Sequence, residues 1–252
     1  MDGAVLVDKP VGLSSNRVLQ EVKKLFGARK AGHAGTLDPL ASGLLVVLFG
    51  EATKLSSVLL DADKEYVASV KLGEATSTGD AEGEVVERSN VAVGAGDIAA
   101  ALERFRGDIE QVPPMYSALK RDGVPLYKLA RRGETVERAA RRVHIEELEL
   151  REFRPPLLEL RIRCSKGTYV RTLAEDLGRA LGTCAHLAAL RRTASGGLGV
   201  HDAAGLEALE ALSQADRESR IVPLERLLGA FPRAELDPSA EARFRNGQAL
   251  RH

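Results

Sequence analysis

Alternating apolar and polar side chains give the clearest structural signal in this sequence. In residues 158–164, leucine, isoleucine and cysteine alternate with charged or polar residues, and this period of two predicts a strand with one buried face. The continuous apolar run at 44–49 predicts a buried strand that follows a glycine-rich segment. Further strands are predicted at residues 4–7, 66–72, 85–86 and 187–192.

Apolar residues spaced three or four positions apart predict helices between these strands. Val18, Val22 and Leu25 follow N-cap candidates at 14–16, and Gly27 marks the predicted end of that helix. Further helices are predicted at residues 55–60, 98–105, 170–181, from 206 onwards and at 223–228, with a loop at 73–83. Because few strict β-α-β units occur, the pattern favours an α+β fold with a mixed, mainly antiparallel β-sheet core and surrounding helices.

Composition narrows the class of protein without identifying it. The chain has 252 residues and is 44% hydrophobic, which is enough for one large domain with a real core. Lysine plus arginine equals aspartate plus glutamate at 36 each, so a nucleic-acid binder would need its positive charge segregated on one surface. The N-terminus lacks a signal peptide and no apolar run approaches the roughly 20 residues of a membrane span, so we expect a cytoplasmic protein without membrane contact.

The two cysteines, Cys164 and Cys184, form neither a disulfide framework nor a metal-ligand cluster. We therefore expect them to be small apolar residues in a reducing compartment, and we expect no metal site.

Positive charge is concentrated in residues 120–142. The basic side chains are Lys120, Arg121, Lys128, Arg131, Arg132, Arg138, Arg141 and Arg142, against Asp122, Glu134 and Glu137. The glycines and proline among them predict an exposed, jointed insertion. Such a segment suits contact with phosphates, but a solvated face balanced by the glutamates at 146–149 is the open alternative.

Residues 32–43 carry the most informative candidate chemistry. This segment is rich in glycine, which permits sharp turns and close backbone approach. It places Asp38 directly before Pro39, and proline disfavours helical backbone in the residue that precedes it. Such an aspartate suits the role of nucleophile or base. From these residues alone, a turn aspartate that bonds its own backbone is the alternative.

The whole segment 32–43 resembles the signature of the TruB-type tRNA pseudouridine synthases, in which the catalytic aspartate stands at the position of Asp38. Further segments that resemble family motifs are 9–16, 116–120, 166–171 and 190–192. The resemblance implies the pseudouridine synthase fold and isomerisation of the T-loop uridine of tRNA to pseudouridine, with the target base flipped into a pocket. It implies the T arm of tRNA as the binding partner, with no cofactor and no obligate protein partner. We expect a monomer.

The resemblance also implies roles for particular residues. Asp38 is expected to be the catalytic nucleophile, Arg171 its ionic partner, and Tyr66 a stacking platform that also transfers protons. The expected substrate-binding residues are His33, Lys9, Tyr169, Leu190, Arg131 and Arg132.

Arg171 is informative even without the resemblance. A cation in the first turn of a helix opposes the helix dipole, so its position is best explained by a nearby anion. An exposed arginine or a phosphate contact are the alternatives.

Two other classes of function are compatible with the sequence. A hydrolase would pair Asp38 with a second carboxylate, as glycosidases do, although no motif places one. A non-catalytic RNA-binding module would not need Asp38 at all. The neutral net charge favours a specific enzyme over a general RNA binder.

For domain organisation, we expect residues 1–230 to form the catalytic domain, with 120–142 as an RNA-contacting insertion. Residues 231–252 form a short C-terminal extension. Because 246–249 resembles the start of a PUA-type RNA-binding domain, this extension is expected to be the start or remnant of one.

Overall fold

The computed structural model describes residues 1–229 and 231–249. In chain order the strands are β1 (Gly3–Lys9), β2 (Ala31–Ala34), β3 (Ala41–Phe49), β4 (Lys64–Leu72), β5 (Glu74–Thr76), β6 (Val85–Arg88), β7 (Gly107–Gln111), β8 (Lys120–Arg121), β9 (Val124–Pro125), β10 (Arg141–Arg154), β11 (Leu157–Cys164), β12 (Ala185–Ser195), β13 (Leu198–Gly199) and β14 (Ala204–Gly205). The α-helices are α1 (Ser15–Leu25), α2 (Ser56–Asp61), α3 (Ala95–Glu103), α4 (Leu126–Ala130), α5 (Val170–Ala180), α6 (Leu206–Ala211), α7 (Gln214–Ser219), α8 (Leu224–Leu227) and α9 (Pro238–Arg245). Short 3₁₀ helices occupy Gly50–Leu55 and Val200–Asp202.

A ten-stranded sheet organises these elements, in the order β14-β1-β3-β12-β4-β11-β10-β7, with β2 beside β3 and β13 beside β12. Among the described strands of this sheet, only β1 with β14 and β3 with β12 pair in parallel. The prediction of a mixed, mainly antiparallel α+β fold is therefore confirmed. The parallel contact sets Leu190 opposite Ala41 and Arg192 opposite Gly43, so β12 runs beside the strand that follows Asp38.

Helices cover the sheet where the sequence places apolar stripes. From α5, Val170, Leu173 and Leu177 are buried in the same core cluster as Leu160 and Ile162 of β11. On β11, alternate side chains from Leu158 to Cys164 are buried, as the period of two predicted. Helix α1 begins after Ser14, whose hydroxyl accepts the Arg17 N–H, and it packs its apolar stripe on β1 and β3. The strand and helix predictions for these elements are confirmed.

Several local predictions were wrong. Strand β2, which carries His33, was not predicted, and β5, which pairs with β6, lies inside the segment 73–83 that was predicted to be a loop. The largest omission is β10, which starts at Arg141, so the predicted insertion 120–142 ends two residues too late. Two register shifts in the pairing with β11 interrupt the period of two along β10. The exposed glutamates of this strand make the remaining alternation of apolar and polar residues hard to recognise in the sequence.

Without Arg141 and Arg142, which belong to β10, the basic insertion comprises residues 120–140, and we refer to it as the basic arm. It holds the β8–β9 hairpin and α4, and Leu126 is its main buried anchor. The Leu126 and Tyr127 N–H groups donate to the carbonyls of Leu119 and Ser117, at 2.7 and 3.1 Å. The arm is thus fastened at its base, while most of its cationic side chains are exposed.

Residues 231–249 hold α9, and none of their side chains is buried. Ala230, at the predicted domain boundary, and residues 250–252 of the predicted extension lie outside the described residues. The division into a catalytic domain and a C-terminal extension stays a prediction. Across the described ranges, no helix combines the length and apolar character that crossing a bilayer requires.

Candidate active site

Asp38 lies in the turn between β2 and β3, and α1 holds this turn in place. The Ser15 hydroxyl donates to the Leu37 carbonyl at 2.9 Å and accepts the Leu37 N–H at 2.7 Å. The Gly12 N–H donates to the Pro39 carbonyl at 2.8 Å. Segments 9–16 and 32–43 therefore meet, and the backbone on both sides of Asp38 is fixed while its side chain stays 45% exposed.

Arg171, the second residue of α5, makes the defining contact of the site. Its Nη2 lies 2.9 Å from Oδ2 of Asp38, and its side chain is only 8% exposed. The guanidinium also donates to the carbonyls of Tyr116 at 2.6 Å and Thr78 at 3.3 Å. Nε lies 3.6 Å from Oδ2 of Asp80. A cation in the first turn of a helix is thus held by two carboxylates and two carbonyls, and the Asp38 carboxylate reaches Arg171 rather than its own backbone.

Asp80 is the functional candidate that sequence reasoning missed. It is buried, and its Oδ1 accepts hydrogen bonds from the Thr78 hydroxyl at 2.6 Å and the Glu82 N–H at 3.1 Å. A β-bridge to Leu187 fixes its backbone beside β12. The available signal was a cluster of hydroxyl and acidic residues within a segment predicted to be only a polar loop.

Tyr66 and Leu190 lie on neighbouring strands in the middle of the sheet, and Leu190 pairs with Ala41, three residues after Asp38. On β4, Tyr66 stands opposite Arg192 of β12, while Leu190 stands opposite Ala68. Both side chains pack against the same core cluster as Leu40. Burial raises the pKa of the Tyr66 phenol, and the Asp38 carboxylate raises it further. The nearby Arg192 guanidinium lowers the same pKa.

Tyr169 is placed next to this group by the start of α5. Its N–H donates to Oε1 of Gln111 at 3.0 Å, and its carbonyl accepts from Nε2 of Gln111 at 3.3 Å. Burial raises the pKa of the Tyr169 phenol. The ring is half-buried, at the edge between the site and the loop that leads to the basic arm.

His33 is half-buried on β2, opposite Val47 of β3. Its Nδ1 is buried and has no hydrogen-bond partner among the described residues. Burial lowers the pKa of His33, and the Arg192 guanidinium lowers it further. The imidazole is therefore neutral at physiological pH, and its Nδ1 is enclosed by protein rather than open to a ligand.

Lys9, at the end of β1, is fully buried rather than open to a substrate. Its Nζ donates to the carbonyls of Pro10 at 2.9 Å and Leu13 at 2.5 Å. Burial lowers the pKa of Lys9 to about 8, and the Asp38 carboxylate works in the opposite direction. The substrate contact that the resemblance implied would require Lys9 to leave these carbonyls.

Arg131 and Arg132 lie at the end of α4, exposed on the basic arm. The Arg131 guanidinium lies over the Tyr127 ring at 5.7 Å, and Arg132 lies 4.0 Å from Glu134. Among the described contacts, neither arginine reaches the group around Asp38. Their contact with substrate stays a prediction.

A cleft of about 300 Å³ separates the basic arm from the body of the protein beside Arg171. Its lining includes Thr78 and Tyr116, whose carbonyls hold Arg171, and also Arg138 and Glu175. Burial raises the pKa of Glu175, and the nearby arginines oppose that rise. The cleft thus lies on the side of the basic arm and borders the two residues whose carbonyls hold Arg171.

Known proteins match this chain along nearly its whole length. Residues 23–170 match the model of the TruB family pseudouridylate synthase (N terminal domain), and residues 171–229 match that of the tRNA pseudouridylate synthase B C-terminal domain. The tRNA pseudouridine synthase B of Burkholderia mallei is 55% identical over 251 residues, which cover 100% of this chain and 83% of the relative. The enzyme of the same name from Chromohalobacter salexigens is 55% identical over 249 residues, covering 98% of this chain and 81% of the relative.

Solved structures give the same picture. The chain superposes on one chain of a Cbf5–Nop10–Gar1 complex with a TM-score of 0.78 at 30% identity, covering 98% of this chain and 68% of the other. It superposes on a chain of an H/ACA RNP bound to a substrate RNA containing 2′-deoxyuridine with a TM-score of 0.73 at 28% identity, covering 98% and 67%.

Proposed function

This chain belongs to the TruB family of pseudouridine synthases, and from that premise we propose that it isomerises the T-loop uridine of tRNA, position 55, to pseudouridine. The observation that carries the proposal is the 2.9 Å contact between Asp38 and Arg171. It joins two segments that the sequence separates widely, and both segments carry family motifs.

The reaction exchanges one bond from the ribose to the base for another. The bond from C1′ to N1 of uracil breaks, the base rotates, and C1′ bonds to C5. The proton on C5 leaves and N1 gains one, so atoms balance without water or a cofactor. Asp38 supplies the nucleophile, and the contact with Arg171 holds this carboxylate in place. Because two carbonyls and Asp80 also hold Arg171, the pair is fixed before substrate arrives.

Tyr66 is proposed to stack on the target base and to move a proton. Its phenol stays protonated at neutral pH because burial raises its pKa, so the hydroxyl is available as a donor. Leu40 and Leu190 pack against the same core cluster as Tyr66 and are proposed to provide apolar walls that exclude water from the base. Exclusion of water favours reattachment of the base over hydrolysis.

Access to the site requires the uridine to leave its stack. This costs a few kcal/mol in a duplex and less in a loop. His33, which is half-buried, is proposed to offset part of the cost by offering its imidazole plane to the RNA. Tyr169 adds a second aromatic surface. Arg131 and Arg132 are proposed to contact phosphates of the T arm from the basic arm.

A hydrolase is the main competing interpretation, because Asp80 supplies a second carboxylate beside Arg171. Its oxygens already face the Thr78 hydroxyl, the Glu82 N–H and Arg171, and the side chain is buried. This arrangement suits a residue that positions Arg171 better than one that activates water. A non-catalytic RNA-binding module would leave the buried contacts around Asp38 without a purpose.

The test is incubation of the purified protein with unmodified tRNA, followed by chemical mapping of pseudouridine. We expect product at position 55 alone, with no free uracil. A tRNA with cytidine at this position is the matched control and should remain unmodified. Free uracil would support the hydrolase, and binding without product would support the RNA-binding module.

We further propose that a single chain performs this reaction in the cytoplasm, without a cofactor or partner protein. The tRNA substrate supports this location. Activity of the purified chain alone, measured alongside its mass by light scattering, tests both the independence from partners and the monomeric state.

A further inference from the structure

Arg192, on β12, is the largest fully buried side chain among the described residues, at 1% exposure. Arginine stays charged in proteins, and burying a charge is costly unless it is paired. Across residues 1–229 and 231–249, however, no carboxylate oxygen lies within 4.0 Å of this guanidinium. Its neighbour Arg191 differs, because it forms a two-point ion pair with Asp8 at 3.0 and 2.7 Å.

Backbone carbonyls take the place of an acidic partner for Arg192. Its Nε donates to the Leu44 carbonyl at 2.7 Å, and its Nη2 donates to the Gly35 carbonyl at 3.1 Å. Gly35 lies three residues before Asp38, and Leu44 lies six residues after it. One guanidinium therefore ties together both ends of the segment that carries the nucleophile.

Two glycines of this segment make room for Arg192. A Cβ on Gly35 would stand 3.1 Å from Nη1 of the guanidinium, and Gly35 has a φ of +93°. A Cβ on Gly43, which pairs with Arg192 across β3 and β12, would clash with the Arg192 backbone. The glycine-rich composition of residues 32–43 is thus explained in part by the need to close around this arginine.

Arg192 also sets the electrostatic field at the base of the site. After burial, its guanidinium is the largest influence on the pKa values of His33, Lys64 and Tyr66. It lowers the pKa values of His33 and Lys64 and opposes the rise at Tyr66. A permanent cation beneath the site therefore acts on two of the residues proposed to meet the RNA.

We propose that Arg192 is a positioning residue of the isomerisation, which fixes the segment around Asp38 through the Gly35 and Leu44 carbonyls and holds a permanent charge beneath Tyr66 and His33. The inference rests on the proposed function. Because Arg192 has almost no exposed surface, it does not touch RNA. Its removal should therefore slow the reaction of bound tRNA without weakening tRNA binding.

The experiment compares Arg192→Met, Arg192→Lys and the control Arg191→Met in single-turnover reactions with saturating enzyme. Rates are normalised to the folded fraction, and the tRNA Kd is measured separately. Methionine keeps an unbranched apolar stem without the guanidinium and its charge, and lysine keeps the charge but cannot reach both carbonyls. We expect Arg192→Met to lose about 10²-fold in rate and Arg192→Lys about tenfold, each at unchanged Kd, because small displacements of reacting groups have effects of this size. The control should keep the wild-type rate.

A merely structural role predicts a lower folded fraction with an unchanged rate per folded molecule, and that result would overturn the proposal. A weaker Kd at an unchanged rate would also overturn it, since Arg192 would then be an RNA contact. If Arg192→Met does not fold, the proposal is tested with Arg192→Lys alone. A wild-type single-turnover rate for Arg192→Lys would then reject the positioning role. An inactive wild-type enzyme would instead reject the proposed function, and this inference with it.

Discussion

Two regions of this molecule hold positive charge in opposite ways. Around Asp38, the cations are buried and each is bound to named oxygens: Arg171 to Asp38 and two carbonyls, Arg192 to two carbonyls. On the basic arm, Arg131 and Arg132 are exposed and have only an aromatic ring or a distant glutamate nearby. The arm has the larger concentration of positive charge, whereas the buried cluster has the defined geometry.

This difference in burial and bonding indicates different roles for the cations around Asp38 and the cations of the basic arm. A buried cation held by several acceptors is fixed in place, so it positions the groups that it contacts. An exposed cation is screened by salt and contributes through attraction to phosphates. Changes in the cluster should therefore alter the rate at constant affinity, and changes in the arm should alter affinity at constant rate.

The largest expected effect comes from Asp38→Asn, which keeps the shape and removes the charge. We expect the single-turnover rate to fall by about 10⁴-fold or more, as it does when other catalytic nucleophiles are removed. tRNA binding should persist. Asp122→Asn on the basic arm is the control, because Asp122 is 96% exposed and asparagine tolerates its φ of 50°. Appreciable turnover by Asp38→Asn would reject the nucleophile assignment.

Replacement of Arg171 should have the next largest effect. Arg171→Ala leaves Asp38 and buried Asp80 without their shared cation, and we expect a loss of about 10²-fold or more in single-turnover rate. Arg171→Lys keeps the charge but not the planar fork, so the loss should be smaller. Arg179, exposed on the same helix, gives matched alanine and lysine controls. Equal rates for the Arg171 and Arg179 variants would show that the interaction with Asp38 has no catalytic role.

Charge reversal on the basic arm should change binding instead. With Arg131 and Arg132 both replaced by glutamate, we expect roughly tenfold weaker tRNA binding and a salt dependence that is shallower by about 0.7–0.9 for each phosphate that the arm no longer neutralises. The rate of bound tRNA should stay constant. The control replaces Arg151 and Arg154 of β10 with glutamate, which changes the net charge by the same amount at a site outside the arm. If both pairs of reversals weaken binding equally, the arm has no special role.

The last expected effect concerns stability and pH and leaves the rate and tRNA affinity at neutral pH aside. Lys64 is buried beneath the cluster, and its Nζ donates to the carbonyls of Leu60 and Ala62. Burial lowers the pKa of Lys64 from 10.5 to about 8, and Arg192 lowers it too, against the weaker influence of nearby anionic groups. Between these values the unfolded chain binds more protons than the folded chain, so the free energy of unfolding gains a contribution that rises with pH.

That contribution should amount to at most about 1.4 kcal/mol per pH unit, and Lys64→Met should lack it. We therefore expect wild-type protein to gain stability relative to Lys64→Met from pH 8 to 10.5, measured by urea unfolding. Lys128→Met, on the exposed arm, should follow the wild-type pH dependence. A constant difference between wild type and Lys64→Met would show that Lys64 is fully charged in the fold.

Some features of the fold and site were determined by the sequence itself. The period of two in residues 158–164 and the helical spacing in 170–181 predicted the elements observed as β11 and α5. The proline after Asp38 and the surrounding glycines marked the turn that carries the candidate nucleophile. Arg171 in a first turn signalled a nearby anion, and the structure places Asp38 there. These signals are local, because propensity, capping and periodicity act over a few residues.

Only the tertiary structure decided the rest. Asp80 and Arg192 become parts of the site through contacts between elements far apart in sequence, such as the Arg192 bond to Gly35 across 157 positions. The β10 strand was hidden because register shifts interrupt its alternation. The sequence could not show which arginines are buried, because Arg171, Arg191, Arg192 and Arg131 are chemically identical until the sheet and helices enclose some of them. Their roles follow from the acceptors that the fold brings within hydrogen-bond distance.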